Sequence, residues 1–523
     1  MVLRVVSPRP STTYILKRWN SCGGGGSGKK GVVFGSYDGC NPGDFKLSKA
    51  ASLFDSGQSG KLSELLRGTG VPLGQVQIFS NLGDDFAAVA VAGVGPEGAG
   101  FDPYERLDLC KENIRIAAGV GAKKLQDEGI NQILVEGFTS PEPAAEGAAL
   151  AVWKYQDLKN VEKRTPLATL LPYSAGGGPA DIEEWEKGIC KAEAQNLARY
   201  IEEVPANLMT PTIFAENAIE AVCPCGAQVE VHDLDWIETN RMGAFVALGK
   251  TSCEPPMFLE LKYCGGAIED LPVVFVGKGI TYDTGGLCPK PCHEMSEYRG
   301  DLAGAAVITA TIRCIARMAL PINVIGLIPL CEHMFGGFAT KPGDIVIPAN
   351  GKSIRIVDPN NEGSVLLSDA LVYTQRHKPC AVISIASLTL GMKSTIGTAA
   401  SGTFTTSNEM WYELDRAGGE TGDRFWRFPN FWKIYTRRVT EIPGADVCNV
   451  GKGSGNSCLQ AAFLKEFIHE VDFAHIDIGG TGMLSNGIGY PYLTAGVMSG
   501  RPTRSMIQFL YQVACPHTKG DDC

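Results

Sequence analysis

Between residues 276 and 364 the chain sets three carboxylates and two lysines, Asp283, Asp301, Glu362, Lys278 and Lys290, among apolar runs. They stand in VGKGITYDTGG, in a loop rich in Cys and Pro, and in DPNNEGS. Charges placed at the ends of buried strands have to be neutralised there, because an unpaired buried charge is very unfavourable. Hard divalent cations need clustered carboxylate oxygens, and a bound metal is the usual reason to gather like charges in an apolar surrounding. A chain with this stretch must therefore fold so that several strand ends and loops meet at one place.

The flanking pattern supplies such a fold. Residues 273–276, 322–328, 382–386 and 474–478 read as buried strands, and 301–318, 364–377 and 458–470 as helices. Apolar strands alternating with helices predict a mostly parallel sheet covered by helices on both faces. In such sheets sites form outside the carboxyl ends of strands, and Asp283 and Asn360 both follow predicted strands. Upstream, strands are expected at 32–34, 76–78, 86–91 and 133–136, with helices at 113–126 and 146–159. That is a smaller α/β unit without a catalytic cluster. A helix at 181–204 connects the two. The resulting organisation is a two-domain α/β protein, with an N-terminal α/β domain at 31–180, the connecting helix at 181–204, a larger domain at 205–515 and a tail at 516–523. The glycine run at 174–178 keeps neither GxGxxG spacing nor a following Lys-Ser/Thr, so it reads as a linker and not a phosphate loop.

Residues 1–30 differ from the rest. Arg4, Arg9, Lys17, Arg18, Lys29 and Lys30 are basic, and no acid precedes Asp38. With no long apolar core, this is the composition of a mitochondrial transit peptide and not of a secretory signal; the alternative is a basic tail with no address. Across 523 residues the net charge of −10 argues against an extended nucleic-acid footprint. No apolar run approaches the roughly 20 residues of a membrane span. The 17 cysteines are scattered and do not frame a disulfide scaffold, so they read as reduced thiols, the alternative being cross-linking on maturation.

Taken together, VGKGITYDTGG, RGDLAGAA, NEGSVLLSDAL, ETGDRFWRFP, AAFLKEF and SGRPTR resemble the leucyl aminopeptidase (cytosol aminopeptidase) family over roughly 205–509. The resemblance implies a two-metal centre holding Zn or Mn. In it Asp283 and Glu362 bridge both ions, and Lys278 and Asp301 bind the tighter one. Asp301 also receives the substrate's free amino group, and Lys290 polarises the scissile carbonyl. It further implies a substrate-lining segment at 387–391, including Leu388, and a homo-hexamer or a co-assembly with paralogues.

Two positions depart from the family pattern. Where it has a ligand aspartate the chain has Asn360, and where it has a bicarbonate-anchoring arginine the chain has Ser364. A charge pair near 4 Å in partly screened surroundings is worth about 4 kcal/mol before desolvation. Losing half of that weakens a metal more than tenfold, so one tight ion per chain is expected, or two if Asn360 still coordinates. A serine cannot grip an anion by a charged fork, and general-base help contributes about 10²–10⁴-fold. The leading expectation is an impaired peptidase of the mitochondrial matrix with a structural role, similar to the sperm leucyl aminopeptidases and placed with them in sperm mitochondria. The alternatives are a working metalloaminopeptidase and a protein that binds peptides without cleaving them.

Overall fold

The computed structural model describes residues 29–515 except 42, 84 and 175–180. The basic leader up to residue 28, the tail at 516–523 and most of the glycine run lie outside the described residues.

Val32, Val33 and Phe34 lie in the strand Lys30–Asp38, where successive side chains point to opposite faces. Val33 joins the core beneath the helices Leu109–Asp127 and Pro141–Val152. Val32 and Phe34 pack on the other side against Ala51, Leu62 and Leu66 of two short helices. The sheet runs Val76–Ser80, Ala88–Gly95, Lys30–Asp38, Gln132–Glu136, Thr169–Tyr173, with Phe45–Leu47 beside Lys30–Asp38. The helix expected at 146–159 instead spans Pro141–Val152, because Trp153 turns to extended backbone.

Helix Ile182–Glu203 leads into the second domain. Its nine-stranded sheet runs Phe425–Arg427, Ser401–Thr405, Asp472–Asp477, Ala381–Ala386, Val273–Gly277, Asn323–His333, Met257–Cys264, Gln228–His232. Strand Gly279–Asp283 pairs with the far half of Asn323–His333. The four central strands are parallel. Met257–Cys264, Gln228–His232 and Ser401–Thr405 pair antiparallel, so the sheet is parallel at its centre and mixed at its edges. The edge strand Gln228–His232 is largely exposed, which removes the continuous apolar run that marks a buried strand. Val274, Val276 and Val382 face one core, and Val273, Phe275 and Ile383 the other, so helices cover both faces.

The helix expected at 301–318 spans Ala303–Arg317. Its small first turn lets it close on the sheet. A Cβ on Gly304 would stand 2.1 Å from the Ile385 carbonyl oxygen, and Ala305 N–H donates to the Lys278 carbonyl at 3.0 Å. The helix expected at 458–470 ends earlier, spanning Asn456–Lys465. No helix among the described residues is long and apolar enough to cross a membrane. The cysteines described are all free thiols.

Candidate active site

Five strands end along one edge of the larger sheet, each followed or closed by a polar residue. Val273–Gly277 delivers Lys278, Gly279–Asp283 ends on Asp283, Asn323–His333 on His333 and Asp472–Asp477 on Asp477, while Ala381–Ala386 runs into Ser387 and Leu388. Asp301 caps the turn before the Ala303–Arg317 helix. Asn360 lies in the single turn Pro359–Asn361, and Glu362 and Ser364 open the helix Gly363–Tyr373. Residues distant in sequence thus converge because parallel strands point their carboxyl ends the same way.

The Lys278 ammonium reaches both Asp301 oxygens, at 2.7 and 2.6 Å, and the Ser387 carbonyl at 3.0 Å. Ser387 Oγ donates to Asp301 Oδ1 at 2.7 Å. Lys290 Nζ stands 3.0 Å from Asp283 Oδ2, donates to Asn360 Oδ1 and lies 4.3 Å above the Tyr298 ring. Asp283 Oδ1 accepts from Gly285 N–H at 2.8 Å and faces His333 Nδ1 at 2.7 Å. Glu362 Oε1 accepts from the Thr340 hydroxyl. Ser364 is fully buried, its hydroxyl 3.5 Å from the Asn361 carbonyl. Leu388 packs by Gly363, where a Cβ would crowd Lys278 Cε at 2.7 Å and Leu388 Cδ1 at 3.1 Å. All eight residues singled out in the sequence are therefore brought into one cluster. The nearby acids Glu294 and Glu297 pair instead with His293 and Lys393.

The electrostatics follow from burial and pairing. Burial works to raise Asp283, yet His333, Lys290 and Lys278 outweigh it and hold the carboxyl well below its usual range. Burial, with the nearby Asp283 charge and against the pull of Lys278, raises Asp301 to about 6. Burial lowers His333, but Asp283 and Glu362 together raise it to about 9. Glu362 Oε2 is buried and lies 3.1 Å from His333 Nε2. The three buried carboxylates offer oxygen donors of the kind a divalent cation takes. Lys278, Asp283, Asp301, Glu362 and Asn360 could hold it.

Sequence reasoning missed His333, Thr340 and Asp477. Asp477 orders the segment 387–391 by accepting from Thr389 Oγ1 at 2.6 Å. The signal for His333 was present: the strand read at 322–328 continues through Pro329, Leu330 and Cys331 toward 333, and its carboxyl end falls under the same rule that drew attention to Asp283. Among the described residues the group of carboxylate and imidazole atoms that all lie within 4.8 Å of one another is Glu230, His232 and Glu260 at the antiparallel edge, where Lys262 already stands 2.8 Å from Glu230 and 3.2 Å from Glu260.

Known proteins share this arrangement at the level of sequence and of fold. The catalytic-domain model of the cytosol aminopeptidase family matches residues 196–507, and its N-terminal-domain model matches residues 34–162. The cytosol aminopeptidase of Xenopus tropicalis is 43% identical over 489 residues, 92% of each chain. That of Homo sapiens is 42% identical over 488 residues, again 92% of each. Among solved structures, the bottromycin maturation enzyme BotP in complex with Mn superposes with a TM-score of 0.79 at 27% identity, covering 93% of this chain and 100% of that one. The chain belongs to the cytosol aminopeptidase family.

Proposed function

We propose that this chain is a leucyl-aminopeptidase-fold protein of mitochondria with a degraded two-metal centre, hydrolysing peptides weakly at most and serving chiefly as an assembled structural component. The sperm-mitochondrial branch of the family is the nearest in character. The observation that carries this reading is the pair Asn360 and Ser364. Lys290, the residue that would polarise the scissile carbonyl, donates to the Asn360 amide oxygen, and Ser364 is buried with no cationic group where the family pattern has an arginine.

The divalent cation on which the family depends would polarise the peptide carbonyl and activate water. Lys278, Asp283, Asp301 and Glu362 would hold it tightly, and Asn360 would add a weak, uncharged ligand. Asp301 would receive the free amino group of a peptide, and Leu388 would line the side-chain pocket. Lys290 would stabilise the developing oxyanion, but nothing at 364 would anchor the anion that passes a proton to the leaving amine. The acid-free leader supports import into the matrix with removal of about the first 20–30 residues; an intact Met1 on native protein would refute it.

The test is hydrolysis of a leucyl chromogenic substrate with Mn²⁺ and bicarbonate, run beside a curated relative. We expect kcat/KM lower by at least about 100-fold, the low end of lost general-base help. Activity within about tenfold of the relative favours the second reading, a working metal-dependent leucyl aminopeptidase. That reading draws its support from the joint placement of Lys278, Asp283, Asp301, Glu362 and Lys290 and from relatives named cytosol aminopeptidase.

A further inference from the structure

The connecting helix Ile182–Glu203 lies against the helix Ala303–Arg317 of the larger domain. Ala194, Leu197 and Ile201 of the first share a core with Ile308, Ile312 and Ile315 of the second. Where the two helices meet near residue 190, each turns a thiol to the other. Cys190 Sγ and Cys314 Sγ stand 3.1 Å apart, and the residues are 7% and 1% exposed. One turn further along each helix, Glu193 and Arg317 form an ion pair that is partly open to solvent. The thiol pair therefore lies just beneath the surface, with Cys190 as its outer member.

The contact between the sulfurs divides their acidities. With Cys314 as donor, it holds the Cys190 thiol below its usual value, helped by Arg317 and Arg313 against burial and the Glu193 charge. Burial and the same hydrogen bond push Cys314 well above its usual value. The thiolate is the reactive form, so the outer sulfur is the nucleophile and the inner one keeps its proton. From a separation of 3.1 Å, an approach of about 1 Å brings the sulfurs to the roughly 2.05 Å of a disulfide bond.

We propose that Cys190 and Cys314 are a peroxide-sensitive dithiol that closes to a disulfide bracing the connecting helix against the larger domain. The Cys190 thiolate attacks one oxygen of a hydroperoxide and becomes a sulfenic acid. The O–O bond breaks, and the other oxygen leaves as hydroxide or alkoxide and takes up the proton that the thiol released. Cys314 sulfur then attacks Cys190 sulfur, the S–O bond breaks, and water leaves with the Cys314 proton. Both thiols are oxidised and the peroxide is reduced. An added dithiol reverses the change by thiol–disulfide exchange. The link closes the long loop from 190 to 314, which restricts the unfolded chain and so favours the folded one. Ala303, at the end of the helix nearest the active-site cluster, is about 16 Å from Cys314 at 1.5 Å per residue. Closure thus leaves the cluster in place, and its test does not depend on what the cluster does.

The full chain, reduced and freed of reductant, is treated with hydrogen peroxide, unfolded in urea with N-ethylmaleimide and digested without reduction for mass spectrometry. We expect a linked pair of peptides carrying Cys190 and Cys314 in the wild type and in Cys223→Ser, whose thiol is exposed. The pair should be lost after dithiothreitol and in Cys314→Ser. In that variant Cys190 should stop at the sulfenic acid, which dimedone labels, whereas Cys190→Ser should leave Cys314 as the alkylated thiol. Oxidation should raise the Tm of the wild type by about 4 °C or more and leave that of Cys314→Ser unchanged. Cys314→Ala serves if Cys314→Ser fails to fold by circular dichroism. Recovery of both cysteines as alkylated thiols, a link from Cys190 to any other cysteine, or a Cys190–Cys314 link without a rise in Tm overturns the proposed brace.

Discussion

Asn360 and Ser364 are four residues apart, and on the proposed reading they bear on the same step, so they are best tested together. Asn360→Asp restores a charged ligand and Ser364→Arg an anion anchor. Singly they should do little, and jointly they should exceed the product of their separate effects. Ser364 is fully buried, so an arginine must enter packed space. The expected recovery is accordingly partial, about 10–100-fold in kcat/KM on a leucyl substrate with Mn²⁺ and bicarbonate. A wild type already as fast as the double variant would defeat the impaired-site reading. Glu136 gives a pH prediction of a different kind. Burial raises its carboxyl from 4.5 to about 8, against hydrogen bonds from Ser48 and from Gly35 N–H. The neutral form is the one that folds well. Its contribution is therefore complete below pH 4.5 and is lost as the pH rises through about 8. At about 1.4 kcal/mol per pH unit, Glu136→Gln should gain on the wild type between pH 5 and pH 8 in thermal unfolding. A gap that does not change with pH would rule this out.

At the scale of elements, the site depends on how closely the Ala303–Arg317 helix lies on the sheet. Gly304 has the Ile385 carbonyl oxygen at 2.1 Å and Lys278 N at 2.9 Å from its missing Cβ, and backbone cannot swing aside as a side chain can. Gly304→Ala should push the helix from the sheet, costing about 1–3 kcal/mol by overpacking, and should separate Lys278 from Asp301. Denaturant unfolding reads the first effect and loss of tight Zn²⁺ binding the second. A variant as stable and as metal-competent as the wild type would show that the contact is soft. Small residues occupy all four positions 303–306, where this close approach is made. The edge strand Gln228–His232 did not announce itself, because a sheet edge open to solvent has no continuous apolar run, and in the largely buried Met257–Cys264 the run is broken by Glu260 and Lys262.

At the scale of the whole molecule, the two domains are joined by buried charge. Glu146 of the first domain accepts from Arg504 at 2.6 Å, on the last helix Thr503–Ala514, and from Arg115 at 2.8 Å. Tyr492 donates to Glu112, which also holds Arg115. Removing one partner of a buried pair strands the other, so Glu146→Gln should destabilise the chain by about 3–5 kcal/mol. Chemical denaturation checks this, and a loss below about 1 kcal/mol, the worth of a surface pair, would mean that water reaches the network. The family resemblance also implies a hexamer, and a protein kept for structure should keep its interfaces when chemistry is lost. Light scattering should return six chain masses; a stable monomer would remove the hexamer and with it most of the structural-component reading.

The sequence by itself determined the α/β class, the family and the five charged residues Lys278, Asp283, Lys290, Asp301 and Glu362, though not His333 or Asp477, because motifs and apolar periodicity are local and survive in one dimension. It also exposed Asn360 and Ser364, since each replaces a residue inside a recognisable motif. Only the tertiary structure decided which oxygen faces which cation. Lys290 meets Asp283 and, across 70 residues of sequence, Asn360, and strand register alone brings His333 to Asp283. The physical reason is that hydrogen bonds and ion pairs act over about 3 Å, a distance set by how strands align and helices close on them, which the order of residues along the chain does not state.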